Sequence, residues 1–487
     1  MGRGIAQIAA QAGIQVRLHD SNPEALASAK KSVEATLNRL VEKGKLEAAK
    51  AEAALAAIKL CHVLGDLTGC DLIVEAIVEN LAIKKQLFAE LEPLVDASTV
   101  LASNTSSLSV TAIAAGMQHP ERLLGWHFFN PVPLMRVVEV VDGARSDAAL
   151  GDGLMVLSKR LGHTPVRAKD TPGFIVNHAG RAFGTEALRI VGEGVCSFED
   201  VDRVMREACG FRLGPFELMD LTGLDVSHPV MESIYHQYYQ EPRFRPSVIA
   251  AQHYAAGLFG KKTGMGFYDY REAHASAAET AAPTALPATT YVATANREHH
   301  EAVSAILAGH TRLVADGNSA ELCVVMPIGQ DATEAATTLH LDASKSVAID
   351  ILTLTAKRRT LMTTPVTSQA ARLLGHALFA ADGTAVSVIR DSAGFIAQRI
   401  VAMIVNVACD IAQQNIASPA DIDLAVQLGL NYPRGPLALG DAFGAALLTR
   451  VLANLQQASG DPRYRPSPWL ARRAMLGVSL TTVDQFP

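Results

Sequence analysis

Residues 103–141 read SNTSSLSVTAIAAGMQHPERLLGWHFFNPVPLMRVVEVV. The stretch follows an apolar run, Val100 to Ser103, with the texture of a buried strand end. A second apolar run delivers His127 and stops at Asn130-Pro131. A third, Val137 to Val141, carries a single acid, Glu139. Three strand ends thus present hydroxyl and amide groups (Asn104, Ser106), an imidazole and a carboxylate. Open α/β sheets bind ligands where strand ends converge. A histidine base needs a further group to orient it, and Glu139 is a candidate for that role toward His127. A lone acid inside Val-Val-Glu-Val-Val also predicts a partner, because charges are rarely buried unpaired. Singly, each residue has a plain structural account: Ser106 as a helix cap, His127 as a core histidine. The constellation carries the argument.

Upstream, strand-like and helical segments alternate. Asp71–Ala76 (DLIVEA) is a continuous apolar run of the parallel-sheet kind, and Thr99–Ser103 is the next. Glu24–Ile58 reads as a helical hairpin broken at Gly44. Before it, Ile14–Asp20 alternates and ends in an acid. A carboxylate in that place binds the adenosine ribose in dinucleotide folds, whose fingerprint is strand, GxGxxG, helix. Here the sequence opens on MGRGIAQIAAQAG, a helix already in progress, with Gly2 in the position of the third glycine. The expectation is an α/β Rossmann-like, doubly wound parallel sheet with its first strand missing, N-terminally truncated; with Met1 as the true start, dinucleotide binding is expected to be weak.

A length of 487 residues calls for several domains. Net charge is −6 with no long basic run, which argues against nucleic acid as a partner. Six scattered cysteines without a CxxC suggest neither disulfides nor a metal site. No apolar run reaches about 18 residues, and no signal peptide is present, so a cytoplasmic protein without a membrane partner is expected.

The second half repeats part of the first. Asp391-Ser-Ala-Gly-Phe-Ile-Ala-Gln398 echoes Asp170-Thr-Pro-Gly-Phe-Ile-Val-Asn177, 221 residues apart. Ser418–Asp423 echoes Ser197–Asp202, and Gly435-Pro436 and Asp441 echo Gly214-Pro215 and Asp220, at the same offset. The predicted domains are a dinucleotide-binding domain over 1–168, a helical domain over 169–270, a linker over 271–290, a degenerate Rossmann-like remnant over 291–389, and a second helical repeat over 390–487. The all-α helical domain is therefore duplicated. The acid–base centre is not: Gln398 stands where Asn177 does, and residues 322–390 lack a His-x-x-Asn-Pro motif.

With MGRGIA, Asp20, VEAIVEN, SNTSSL, HFFNP, VEVV, DTPGFIVN and GKKTGMGFY in order, residues 1–270 resemble a 3-hydroxyacyl-CoA dehydrogenase. The whole chain resembles the long bacterial form with a duplicated C-terminal domain. The resemblance implies NAD-dependent oxidation of an L-3-hydroxyacyl-CoA, such as 3-hydroxyadipyl-CoA or 3-hydroxybutyryl-CoA. It implies His127 as base, Glu139 as its support, and Ser106 and Asn177 as substrate-binding groups. It further implies that Gly2, Asp20, Glu79, Lys84 and Asn104 line the NAD site. Relatives with one helical domain dimerise through it, so this chain is expected as a homodimer or a pseudo-dimeric monomer. The competing readings are a catalytically silent NAD- or CoA-binding subunit and a dehydrogenase of free hydroxy acids.

Overall fold

Seven short strands run up to Lys169: β1 (Val16–His19), β2 (Ile58–Cys61), β3 (Leu72–Glu75), β4 (Val100–Ser103), β5 (Leu123–Phe128), β6 (Val137–Asp142) and β7 (Thr164–Lys169). An α-helix lies between each successive pair except β2 and β3, and β5 and β6. β1 and β2 pair in parallel. β3 to β7 form a separate five-stranded sheet in sequence order, parallel except between β5 and β6. The computed structural model describes residues 1–271 and 282–485, and among these no strand bonds to both sheets. Half of the linker expected over 271–290, residues 272–281, lies outside the described residues, and β8 begins before its expected end, at Thr289.

The helix Gly2–Gln11 serves both sheets. Ile5 and Ile8 enter the core beside Trp126, Phe128 and Val140, while Ala10 joins Val33, Leu37 and Ile58 in a second core. Burying side chains of this size contributes roughly 1.5–3 kcal/mol each. Gly4 permits the close approach, since a Cβ there would sit 2.9 Å from that of Val132. The helical hairpin expected over 24–58 proves to be Pro23–Glu42 and Ala48–Ala56, and Ile58 begins β2 instead. A four-residue strand with an exposed Lys59 at its centre is too short to show a period of its own.

The second half builds another sheet. β8 (Thr289–Ala293), β9 (Arg312–Leu313), β10 (Leu322–Val325), β11 (Ser346–Ile349), β12 (Arg358–Thr363) and β13 (Ala385–Ile389) lie in the order 9-8-10-11-12-13. Only β11 and β12 are antiparallel, as are β5 and β6. What the sequence presents as a degenerate remnant is an unbroken six-stranded sheet with its own core, including Val292, Val324, Val347, Leu361 and Phe379.

The chain forms two compact units, residues 1–178 with 414–430, and residues 179–413 with 431 onward. They do not follow the sequential domain ranges. In the first unit, the helix Pro419–Leu430 packs on β6 and β7, and Lys169 N donates to Ile416 O at 2.9 Å. In the second, the helix Phe198–Glu207 packs on β12, and Arg390 N donates to Val195 O at 3.0 Å. Both pairs of matching residues are 221 apart, so the exchange is reciprocal, as across a two-fold interface. Also in the second unit, the matching helices Arg181–Gly192 and Ala397–Gln413 pack on each other. Reciprocal ion pairs join the two helical repeats, Arg465 to Glu241 at 2.9 Å and Arg245 to Asp461 at 3.8 Å.

Candidate active site

The antiparallel register of β5 and β6 sets His127 opposite Glu139. Strand neighbours point to the same face of a sheet, so the two side chains meet: His127 Nδ1 lies 2.6 Å from Glu139 Oε2. Glu139 is fully buried and His127 nearly so. The other carboxylate oxygen, Oε1, accepts from the backbone N–H of Ile175 and of Val176, each at 2.9 Å. Those amides are aimed by a turn in which Gly173 (φ 80°) and Phe174 (φ 48°) are both left-handed. A phenylalanine in that region is strained, and the surrounding contacts must hold it there. The rings of Phe129 and Phe174 flank the imidazole, at 4.3 and 5.9 Å between centroids. This is a rigid base–carboxylate pair in an apolar wall.

Beside it, the loop after β4 is pinned from below. Glu79 Oε1 accepts from Thr105 Oγ1 (2.7 Å) and from the N–H of Ser106 (2.8 Å) and Ser107 (3.0 Å). Burial opposes ionisation of Glu79. The Thr105 hydroxyl, the Lys84 ammonium and the two amides outweigh it and hold the carboxyl below its ordinary value. Lys84 is buried between Glu79 Oε2 (3.3 Å) and Glu75 Oε1 (2.6 Å). Glu75 also takes the Ser103 hydroxyl at 2.6 Å and Ile77 N at 2.7 Å. Asn104 Oδ1 accepts from Phe128 N (2.8 Å), tying this loop to the end of β5. Asn177 Nδ2 donates to Ser106 O at 3.3 Å. His127, Glu139, Ser106, Asn177, Asn104, Glu79 and Lys84 therefore share one connected network in the first unit.

Residues 1–171 match the profile of the 3-hydroxyacyl-CoA dehydrogenase NAD-binding domain. Residues 173–270 and 394–482 both match that of the C-terminal domain. A curated relative, 3-hydroxyadipyl-CoA dehydrogenase of Escherichia coli, is 39% identical over 98% of this chain and 96% of its own. The chain belongs to the 3-hydroxyacyl-CoA dehydrogenase family. The mitochondrial hydroxyacyl-coenzyme A dehydrogenase of Sus scrofa is 42% identical over 56% of this chain and 88% of its own. Among solved structures, a 3-hydroxybutyryl-CoA dehydrogenase of Escherichia coli superposes with a TM-score of 0.86 at 37% identity, covering 98% of this chain and 96% of that one. The second match to the C-terminal domain coincides with the internal repeat.

For a dehydrogenase of this family, the NAD-binding domain identifies NAD as the cofactor. The residues present suit its two ends. Asp20 follows β1 and is exposed, its Oδ1 accepting only from Asn22 N among the described groups. A carboxylate there fits a ribose diol and disfavours a 2′-phosphate. Glu79 holds the loop after β4, and Asn104 of that loop is tied to Phe128, next to His127. Gly2 starts the first helix, where a Cβ would meet only Ala76 at an ordinary 3.7 Å. Lys84 is too buried to touch a ligand except through Glu79. Among the described residues, no group of three or more His, Cys, Asp or Glu side chains could hold a metal. No single helix there is long and apolar enough to cross a membrane.

Two further residues that hold this region together, Glu75 and Asp170, were not among the candidate site residues of the sequence. Glu75 was legible by the rule that drew attention to Glu139: a lone acid in an apolar strand, with a lysine nine residues on. Asp170 opens the repeated DxxGF motif, and its carboxylate accepts from Ser109 Oγ (2.7 Å), Val110 N (3.0 Å) and Thr111 N (2.7 Å). It caps the helix that follows the Ser106 loop. The repetition of the acid in both halves was the available signal.

Proposed function

We propose that this chain oxidises an L-3-hydroxyacyl-CoA to the 3-oxoacyl-CoA with His127 as the base, and that its substrates are of the 3-hydroxyadipyl-CoA or 3-hydroxybutyryl-CoA kind. The observation that carries the reading is the 2.6 Å bond from His127 Nδ1 to a carboxylate whose other oxygen is held by two amides. With Nδ1–H donating to Glu139, Nε2 is left as the acceptor that takes the 3-hydroxyl proton. NAD, when bound, supplies the acceptor for the hydride leaving C3. Glu139 stabilises the imidazolium formed in that step and fixes the ring plane. It is itself held at two points and does not turn away as charge develops. The Asn177 amide and the Ser106 hydroxyl orient the substrate oxygen, and the Glu79 system holds Ser106 in place. The flanking phenylalanines keep water from the imidazole, which strengthens its bond to Glu139.

The reciprocal bonds between the repeats support a pseudo-dimeric monomer in which each helical repeat serves as the other's partner. Sedimentation of the purified chain as a monomer is the expected result. For the catalytic reading, His127→Gln is expected to lower kcat for acetoacetyl-CoA reduction by about 10³-fold or more. NADH binding, followed by fluorescence, should stay within about threefold of the wild type. Residual activity above about a tenth would sink the assignment of His127.

A further inference from the structure

In the first unit, the helix Ala148–Arg160, β6 and β7 meet at a filled corner. Arg167 of β7 lies over Gly151, so closely that no Cβ could be added there. Its guanidinium holds Asp142 through Nε (2.6 Å) and Nη2 (2.8 Å), and Asp152 through Nη1 (2.8 Å). The space is occupied and its charge is neutralised.

The matching corner of the second unit is built differently on the same backbone. Moving 221 residues along, Arg167 becomes Val388, Asp142 becomes Thr363 and Asp152 becomes Leu373, while Gly151 becomes Arg372. The acids are gone, and the arginine has moved from strand to helix. A cavity of about 440 Å³ opens at this corner. Arg372 and Arg390, both exposed to solvent, line it, with Val388 and Ile389 as an apolar wall; the Thr363 hydroxyl donates to Ile389 O at 3.4 Å. Among the described residues, neither guanidinium has a carboxylate within ion-pair distance. Asp200, the carboxylate in the lining, is engaged by Ser197 Oγ (3.1 Å), Ser387 Oγ (3.3 Å) and Arg203 (3.5 Å). Burial pushes the Cys196 thiol, also in the lining, up to about 12, so it stays protonated and offers no nucleophile.

Two guanidiniums without a carboxylate partner, at the mouth of one cavity, match an oxyanion with several acceptor oxygens. The volume exceeds that of a bare oxyanion and lies in the range of small-ligand sites. We infer that this cavity binds a phosphate-bearing small molecule, with Arg372 and Arg390 taking the phosphate and Val388 and Ile389 the organic part. The site belongs to the second unit and is distinct from the His127–Glu139 centre.

Calorimetry on the full chain tests this with phenyl phosphate, inorganic phosphate and benzoate as probes. Phenyl phosphate is expected to bind, inorganic phosphate to bind more weakly, and benzoate to bind weakest of the three. Arg372→Gln and Arg390→Gln should each weaken phenyl phosphate at least about tenfold. Val388→Arg, Thr363→Asp and Arg372→Gly together, which restore the first unit's residues at these three positions, should abolish binding. Unchanged dehydrogenase turnover in each variant shows that it folds. Should one arginine variant fail to fold, the other carries the test. No heat at about 10 mM phenyl phosphate, equal affinity in wild type and variants, or benzoate binding as tightly as phenyl phosphate would each overturn the inference.

Discussion

The two α/β sheets carry the same three strands and the same turn, yet one end holds a buried histidine–carboxylate pair and the other is a closed polar plug. In the first unit, His127 faces Glu139 across the antiparallel pair. In the second, the same register sets Asp350 opposite Thr360, with Asp350 N donating to Thr360 O at 3.1 Å. The turn is preserved: Gly394 and Phe395 are left-handed, at φ 76° and 51°. Glu139, however, has become Thr360, whose hydroxyl is buried without a hydrogen-bond partner among the described residues. Gln398, one methylene longer than Asn177, reaches across and satisfies itself. Its amide donates to Asp350 Oδ1 (2.9 Å) and Pro327 O (3.2 Å), and its carbonyl oxygen accepts from Gly329 N (2.8 Å). A Cβ on Gly329 would lie 2.7 Å from Val451, so the loop is shut against the helix Ala445–Ser459. One backbone arrangement thus holds the histidine–carboxylate pair of the proposed chemistry in one sheet and an Asp–Gln plug in the other.

The sharpest way to break this comparison is to change both centres. His127→Gln or Glu139→Gln should lower kcat, by about 10³-fold or more for the base and about 10²-fold for its support. Asp350→Asn should leave kcat within about twofold, measured by NADH consumption. A large loss in the Asp350 variant would show that the second centre contributes to turnover.

Stability should divide the copies as well. His178 and Arg399 occupy matching positions. Arg399 is buried against Glu186 (2.7 Å) and also bonds Glu193 (2.7 Å) and the Tyr464 hydroxyl (3.1 Å). Burial opposes the charge on Glu186, but Arg399 and Arg463 hold it ionised, below the usual carboxylate range. Arg399→Met strands that charge, leaving Arg463 at 3.6 Å, and is expected to cost about 3–5 kcal/mol in urea unfolding. A loss below about 1 kcal/mol would mean that Glu186 takes up a proton at little cost.

Asp350 predicts a pH dependence. Burial raises its carboxyl to about 6, against the hydrogen bond from Gln398. An acid whose folded pKa lies above its unfolded value binds its proton more tightly when folded. Its destabilisation is absent below about pH 4, develops as pH rises, and is complete above about pH 6. Asp350→Asn should remove this slope, gaining roughly 1–3 kcal/mol at pH 7.5 relative to wild type and nothing at pH 4. Parallel stability curves for the two proteins would refute the assignment. The smallest effect is expected from Thr360→Val, which removes the unpartnered hydroxyl at nearly constant volume and should raise stability by about 1 kcal/mol. A loss of stability on thermal melting would show that the hydroxyl is satisfied after all.

The constellation was legible because its members sit at strand ends with unusual residue types. Glu139 stands alone among valines, His127 precedes Asn130-Pro131, and the repeated DxxGF motif marks both helical domains. Lys84 entered as a cofactor-site residue through the family resemblance alone, and nothing local showed that it is buried. That required knowing that Glu75 and Glu79 lie on either side of it.

By itself the sequence determined the alternation of strands and helices, the duplication of the helical domain, and which side chains were present to do chemistry. These follow from local periodicity and from matching residues at one offset. Tertiary structure decided the rest. It set the register that puts His127 on Glu139, lodged residues 419–430 on the first sheet, and closed the second centre with Gln398. Each depends on contacts between segments far apart in the chain, made by burying apolar faces together, and local residue patterns carry no record of which faces will meet.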